Sequence, residues 1–266
     1  YTGDANNAAI ATTCADANET TVVSQTTPTV STTASADTTV GNNISDTATI
    51  NGAYNATGTV TFTLYKNDNA CGGGSLVFTS AAIPVSGAGP YSSGNFATTA
   101  PGIYYWKASY SGDSNNAAVT TLCNDPNESV AVGISTVGMT TTASGNVTLG
   151  GNVSDSATLT GGFNHTGSIT FKLYGPDDNT CGAGSLVFTS AAIPVTAGTN
   201  TYGSGSFAPT APGTYRWIAS YTGDANNAGV TGTCGDANES VVVDKVTPTL
   251  ATQSSLSGPL GSSFSD

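Results

Sequence analysis

Residues 102–110 read GIYYWKASY, and residues 213–221 read GTYRWIASY. Every second position is held between the two. Tyr104, Trp106, Ala108 and Tyr110 in the first stretch become Tyr215, Trp217, Ala219 and Tyr221 in the second. Two of the positions between them drift, from Tyr105 and Lys107 to Arg216 and Ile218. A period of two is the mark of a β-strand, whose successive side chains point to opposite faces. A face that stays the same while its reverse changes is expected to be a core face backed by an exposed one. The aromatic residues are therefore expected to form core, not a platform for a ligand.

The alternation continues outward from these strands. In TGTVTFTLYK, Val60, Phe62 and Leu64 share a face, and Ile169, Phe171 and Leu173 repeat it. Further strands are expected over 44–50, 75–80, 94–98 and 128–132. Turn signals stand at Pro90, Pro101, Pro176 and Pro212. Helical periodicity is weak throughout. Short strands punctuated by turns point to an all-β class, with about seven strands in a two-sheet sandwich.

The two stretches belong to a longer repeat. Tyr1, Tyr110 and Tyr221 each open a similar phrase, and Cys14, Cys123 and Cys234 follow at the same offset. Cys71 and Cys181 also correspond, and SLVFTSAAIPV occurs unchanged at 75–85 and 185–195. The unit is about 110 residues. It divides the chain into residues 1–24 (the end of one repeat), 25–134 and 135–244 (two complete repeats), and 245–266 (the start of the next). The two outer pieces are too short to make a unit together, so the expectation is a segment of a longer tandem array.

Only 8% of residues are charged, far below the roughly 25% of an average soluble protein. The net charge of -12 reflects a chain with five Lys and Arg. Such a surface does not attract nucleic acid or anionic lipid. No run of about 18 apolar residues suggests a membrane span.

The wording YSGDSNN and YTGDANN, with TGTVTFTLY and TAPGTYRWIASYTGDANN, resembles the bacterial Ig-like repeats of large secreted and cell-surface proteins. The resemblance covers essentially the whole chain. It implies tandem Ig-like β-sandwiches, modules that serve as stalks, spacers and adhesin shafts. The antibody-type cysteine pair and central Trp pattern are absent, so the likeness is one of architecture.

Each complete repeat has two cysteines, and the expected disulfides are Cys71–Cys123 and Cys181–Cys234. Cys14 is left with its expected partner outside the chain. Each bridge would close a loop of roughly 53 residues, worth about 4 kcal/mol in the chain-entropy model. CxxC spacing and nearby histidines, which a metal site would need, are missing. Disulfides imply an oxidising, extracellular setting. Isopeptide crosslinks, the rival way to harden such modules, are not expected: Lys66 and Lys107 have no Lys counterpart in the next repeat, and Lys172 aligns with Thr63.

No nucleophile elbow, phosphate loop or HExxH motif is present, and catalysis is not expected. The one histidine, His165, is matched by Ala56 and is expected to be a surface loop residue. Asp113, Asp125 and Glu128 recur as Asp224, Asp236 and Glu239. As clustered oxygen donors they are candidate calcium ligands. The same Asp and Asn residues equally suit turns, where they bond backbone N–H groups. The links between repeats are short, around Val137 and Pro248, with no flexible Gly/Ser tether.

Three functions follow as expectations. The first is a structural segment of an extracellular fibre or cell-surface stalk, whose partners are neighbouring repeats and which self-associates into filaments. The second is an adhesin-type module that binds glycan or protein through its loops. The third is a set of accessory repeats of a larger secreted enzyme.

Overall fold

The computed structural model describes residues 1–254 and 257–263. The protein is all-β. Among the described residues, helical geometry is confined to two 3₁₀ turns, Gly73–Ser75 and Ala183–Ser185. The chain divides into two compact units, Tyr1–Gly133 and Ile134–Asp266.

The first unit contains β1 (Thr29–Ala34), β2 (Thr38–Thr39), β3 (Asn43–Ile44), β4 (Asp46–Asn51), β5 (Thr59–Lys66) and β6 (Leu76–Thr79). It continues with β7 (Ile83–Pro84), β8 (Tyr91–Ser92), β9 (Phe96–Ala97), β10 (Gly102–Tyr110), β11 (Val119–Thr120) and β12 (Ser129–Gly133). One sheet has the order β1-β4-β8. The other runs β2-β12-β10-β5-β6, with β11 added to β10 and β7 to β5, and β3 pairs with β9.

The second unit contains β13 (Val137–Ala143), β14 (Val147–Thr148), β15 (Asp155–Gly161), β16 (Ser168–Tyr174) and β17 (Leu186–Thr189). It ends with β18 (Ile193–Pro194), β19 (Thr201–Gly203), β20 (Gly213–Tyr221), β21 (Val230–Thr231) and β22 (Ser240–Asp244). Its sheets are β13-β15-β19 and β14-β22-β20-β16-β17.

The repeated aromatic stretches are β10 and β20, the centre of the larger sheet in each unit. Register explains why their sequence is held. Trp106 lies opposite Leu64, Ala108 opposite Phe62 and Tyr110 opposite Val60. Trp217, Ala219 and Tyr221 face Leu173, Phe171 and Ile169 in the same way. All of these side chains are buried. In the second unit they share one core with Val153, Ala157 and Leu159 of the smaller sheet's side. The small Ala108 and Ala219 leave room between bulky neighbours, as close packing requires.

Several expectations need correction. The reverse face of β10 is exposed at Ile103 but half-buried at Tyr105 and Lys107: Tyr105 lies between β5 and β12, and Lys107 beside β5. The strand expected over 44–50 is split at Ser45, whose carbonyl accepts the Ser35 N–H. The strand expected over 94–98 shrinks to β9, and Ser75 belongs to a 3₁₀ turn. The count of about seven is exceeded because many two-residue pairings surround the long strands. β1 was not anticipated. In its sequence, TVSTTA, the apolar Val30 and Ala34 share the half-buried phase with Thr32, which breaks the apolar alternation, yet the strand pairs with β4 over its whole length.

Candidate functional site

Three features recur at equivalent places: an Asp-centred loop, a disulfide and a pair of buried carboxyl groups. The loop follows β10. Gly112 has a φ of 69°, and a Cβ there would lie 2.6 Å from the Ala118 nitrogen, so only glycine fits. Asp113 Oδ1 accepts the N–H groups of Asn115 and Asn116 at 2.7 and 3.0 Å. Its Oδ2 accepts the Thr57 N–H at 2.7 Å and the Tyr110 hydroxyl at 2.8 Å. These donors, Thr57 N–H first, hold Asp113 well below the usual carboxylate range. Asp224 repeats the arrangement with Asn226, Asn227, Thr166 and Tyr221. Asp4 does so with Asn6, Asn7 and Tyr1, in a stretch that carries no strand. The bonds within the loop are thus local, and the Thr57 or Thr166 bond that joins it to the rest of a unit has no counterpart at Asp4 among the described residues.

Buried Asn116 then ties this loop to two others. Its Oδ1 accepts the Tyr54 N–H and the Thr26 hydroxyl, each at 2.7 Å, and its Nδ2 donates to the Tyr54 carbonyl. Asn227 makes the matching pair with the backbone of Phe163. Asn116→Ala removes these three bonds and the two that Nδ2 makes to the Asp113 carboxylate. It is expected to destabilise the first unit by about 2 kcal/mol in denaturant titrations.

The candidate calcium ligands are not brought together. Asp113 and Asp224 are saturated by the donors just named. Asp125 and Asp236 accept the N–H groups of Leu122 and Thr233. Glu128 and Glu239 are buried in the core. Among the described residues, no group of three or more His, Cys, Asp or Glu side chains could share a metal ion. Turn chemistry accounts for the four aspartates, and core burial for the two glutamates.

Cys71–Cys123 and Cys181–Cys234 are disulfides, with Cα–Cα distances of 5.8 and 5.7 Å. Each ties the loop after β5 or β16 to the turn before the last strand. Asp68 organises the loop in the first unit by accepting the N–H groups of Ala70 and Gly72 and the Ser75 hydroxyl. Asp178 does the same in the second with Thr180, Gly182 and Ser185. Cys14 is an exposed free thiol.

His165 is not a surface residue. It is 9% exposed and packs edge-on against Tyr221 at 6.2 Å. Its counterpart Ala56 is buried as well. The loop position faces inward in both units; in the second it carries an imidazole whose buried Nε2 has no hydrogen-bond partner among the described residues.

The buried carboxyl pairs escaped the sequence reading. Asp46 opens β4 in the smaller sheet, and Glu128 immediately precedes β12 in the larger one. Both are 0% exposed. The backbone fixes them: Ser93 N–H bonds the Asp46 carbonyl, and Trp106 N–H bonds that of Glu128. Asp46 Oδ1 accepts the Thr47 N–H at 2.7 Å. Asp46 Oδ2 and both Glu128 oxygens have no donor among the described residues. The two carboxyls lie within hydrogen-bonding reach of each other, with Thr32 of β1 beside Glu128. Burial, first, pushes both above the usual carboxylate range, and the Asp46 charge adds to the rise at Glu128. Asp155 and Glu239 form the same pair in the second unit, with Thr141 in the place of Thr32. The missed signal was periodicity. Asp46 alternates in phase with Ile44, Ala48 and Ile50, and Glu128 with Val130 and Val132, all core positions.

No protein-family model matches the chain, and no curated protein matches it.

Proposed function

We propose that the chain is a structural segment of an extracellular fibre or cell-surface stalk, built from disulfide-stapled, Ig-like β-sandwich repeats of about 110 residues. One observation carries this reading: what recurs between the units is what holds each unit shut. The recurring residues are the β10 and β20 core face, the Asp-centred loop, the two bridges and the buried carboxyls. Two sheets around a shared core support the sandwich. Two disulfides support an oxidising compartment. No helix of the described residues is long and apolar enough to cross a membrane.

Self-association is part of the proposal. β6 and β17 are sheet edges, and Leu76, Val77, Leu186 and Val187 on them are about two-fifths exposed. Apolar edges without Lys or Pro guards favour pairing between chains. Electron micrographs of native material should show continuous filaments that a Val77→Lys, Val187→Lys variant does not form. Isolated monomers in wild-type material would overturn the fibre reading.

One observation favours a second reading, an adhesin-type module. A surface hollow of about 520 Å³ is lined by Gln25, Thr26, Tyr54, Ser114 and Asn115, and Tyr54 is 63% exposed there. An aromatic face among amide and hydroxyl groups suits a sugar ring. Glycan-array binding that disappears in Tyr54→Ala would favour this reading over the first.

A further inference from the structure

We propose that each unit binds one proton between its two buried carboxyl groups, Glu128 with Asp46 and Glu239 with Asp155. The bound proton makes the pair a hydrogen-bonded clasp between the two sheets; without it the pair is a repelling one.

The geometry requires such a proton. Each pair buries four carboxyl oxygens, and three of them lack a donor. Two ionised carboxylates can only accept hydrogen bonds, so they cannot satisfy one another. Two buried charges would also carry a desolvation cost that the Thr47 N–H on Asp46 and the Thr32 side chain beside Glu128 offset only in part. The charges that act most on Glu128 are Asp46 from β4 and Asp125 from the preceding turn, both acidic. For Glu239 they are Asp155 and Asp236. Thr32 and Thr141 face the glutamates from β1 and β13 and are neutral. Asp37 is engaged with the Ala131 N–H on β12, and the second unit has neutral Asn146 in the matching role. A proton on the glutamate turns the facing oxygens into donor and acceptor. The recurrence of the pair, with the same backbone anchors, shows that it is built into the unit.

The placement gives the proton a mechanical role. Asp46 belongs to the smaller sheet and Glu128 leads into the larger one. Beside them the Ala34 N–H of β1 bonds the Asn127 carbonyl, as Ala143 bonds Asn238. This is where the smaller sheet is tied to the last strand, and the clasp closes the same end.

The pH dependence has the opposite sign to that of an ordinary surface carboxylate. A carboxyl whose folded pKa is raised binds more protons folded than unfolded. Its stabilisation is complete below the unfolded value, near 4, and is lost as pH rises through the folded value, about 8 for both glutamates. Asp113 and Asp224 are held low and act oppositely, losing their contribution as pH falls below about 4. Readings from pH 5.5 upward therefore isolate the clasp.

The test uses the full chain in a Trp217→Phe background with Cys14 alkylated, so that Trp106 alone reports the first unit. That unit contains no histidine, since His165 is the only one. Its thermal midpoint should be higher at pH 5.5 than at pH 9 by about 8 °C or more. Glu128→Gln supplies a permanent neutral donor to Asp46. It should shrink this difference to less than half and raise the midpoint at pH 9 above that of the parent. A parent midpoint that stays flat or rises from pH 5.5 to 9 would overturn the proposal. So would a Glu128→Gln loss equal at both pH values. Should the variant not fold, the infrared spectrum of the parent at pH 7 decides. A protonated-carboxyl band is expected, and its absence overturns the clasp.

Discussion

Trp106→Ala is expected to cost the first unit about 3–5 kcal/mol, enough to unfold a domain of ordinary stability at 37 °C or bring it close to unfolding. Trp106 is fully buried at the centre of the larger sheet. It meets Phe62 edge-on at 6.4 Å and Phe78 edge-on at 5.8 Å. Phe78 in turn touches Phe96, and Phe96 touches Tyr104, so the indole is an inner member of a chain of five rings that runs from Phe62 to Tyr104. Its removal leaves a cavity that neighbouring strands cannot fill, because their register is fixed by β10. Trp106→Phe makes the informative contrast. The indole N–H has no acceptor among the described residues, so its loss forfeits no hydrogen bond. That variant should lose less than half as much. Calorimetry follows the first unit, while emission from Trp217 shows whether the second remains folded. Equal losses for Ala and Phe would mean that the ring packing has been misjudged.

Removal of the Cys71–Cys123 bridge is expected to cost about 4 kcal/mol, because 52 residues separate the two cysteines. A Cys71→Ala, Cys123→Ala chain should therefore melt well below the parent in its first transition. The backbone adds a second effect. Cys71 holds a left-handed φ of 53°, which costs a residue with a Cβ roughly 1–2 kcal/mol. Cys71→Gly paired with Cys123→Ala should recover about 1 kcal/mol of the loss. Intact-mass analysis of the parent after denaturation without reductant should show one alkylated cysteine, Cys14. A second or third label would show that a bridge is missing.

What could be read in the sequence was what obeyed a simple rule. β10 and β20 were legible because one face is apolar and the other drifts. The two-residue strands were not, since a pair of residues has no period. β1 failed for a different reason: its half-buried phase is Val30, Thr32 and Ala34, and the hydroxyl of Thr32 in the middle of it hides the pattern. The acidic residues divided along similar lines. Asp113 and Asp224 looked equally like ligands and turn residues, and only the coordinates show every lone pair occupied. Asp46 and Glu128 were the deeper miss. Their phase put them in the core, but charge usually means surface, and that expectation hid them. His165 was misplaced by the same habit, although its alanine counterpart pointed inward.

The stretch Ser75–Val85 recurs letter for letter as Ser185–Val195, and in each unit it supplies the edge strand and the short strand beside it. During refolding, side-chain fit gives a nascent sheet no means of telling its own edge from its neighbour's. An exchanged strand would pack as well as the proper one, and the error would be corrected only by the short tether to β5 or β16. That tether is also where the bridging cysteine sits, four residues before the segment. Oxidation before the edge has docked would seal an exchanged chain. Oxidation afterwards would make the correct pairing permanent. Faithful assembly of such a chain therefore depends on order in time, with the sheet closing first and sulfur chemistry second.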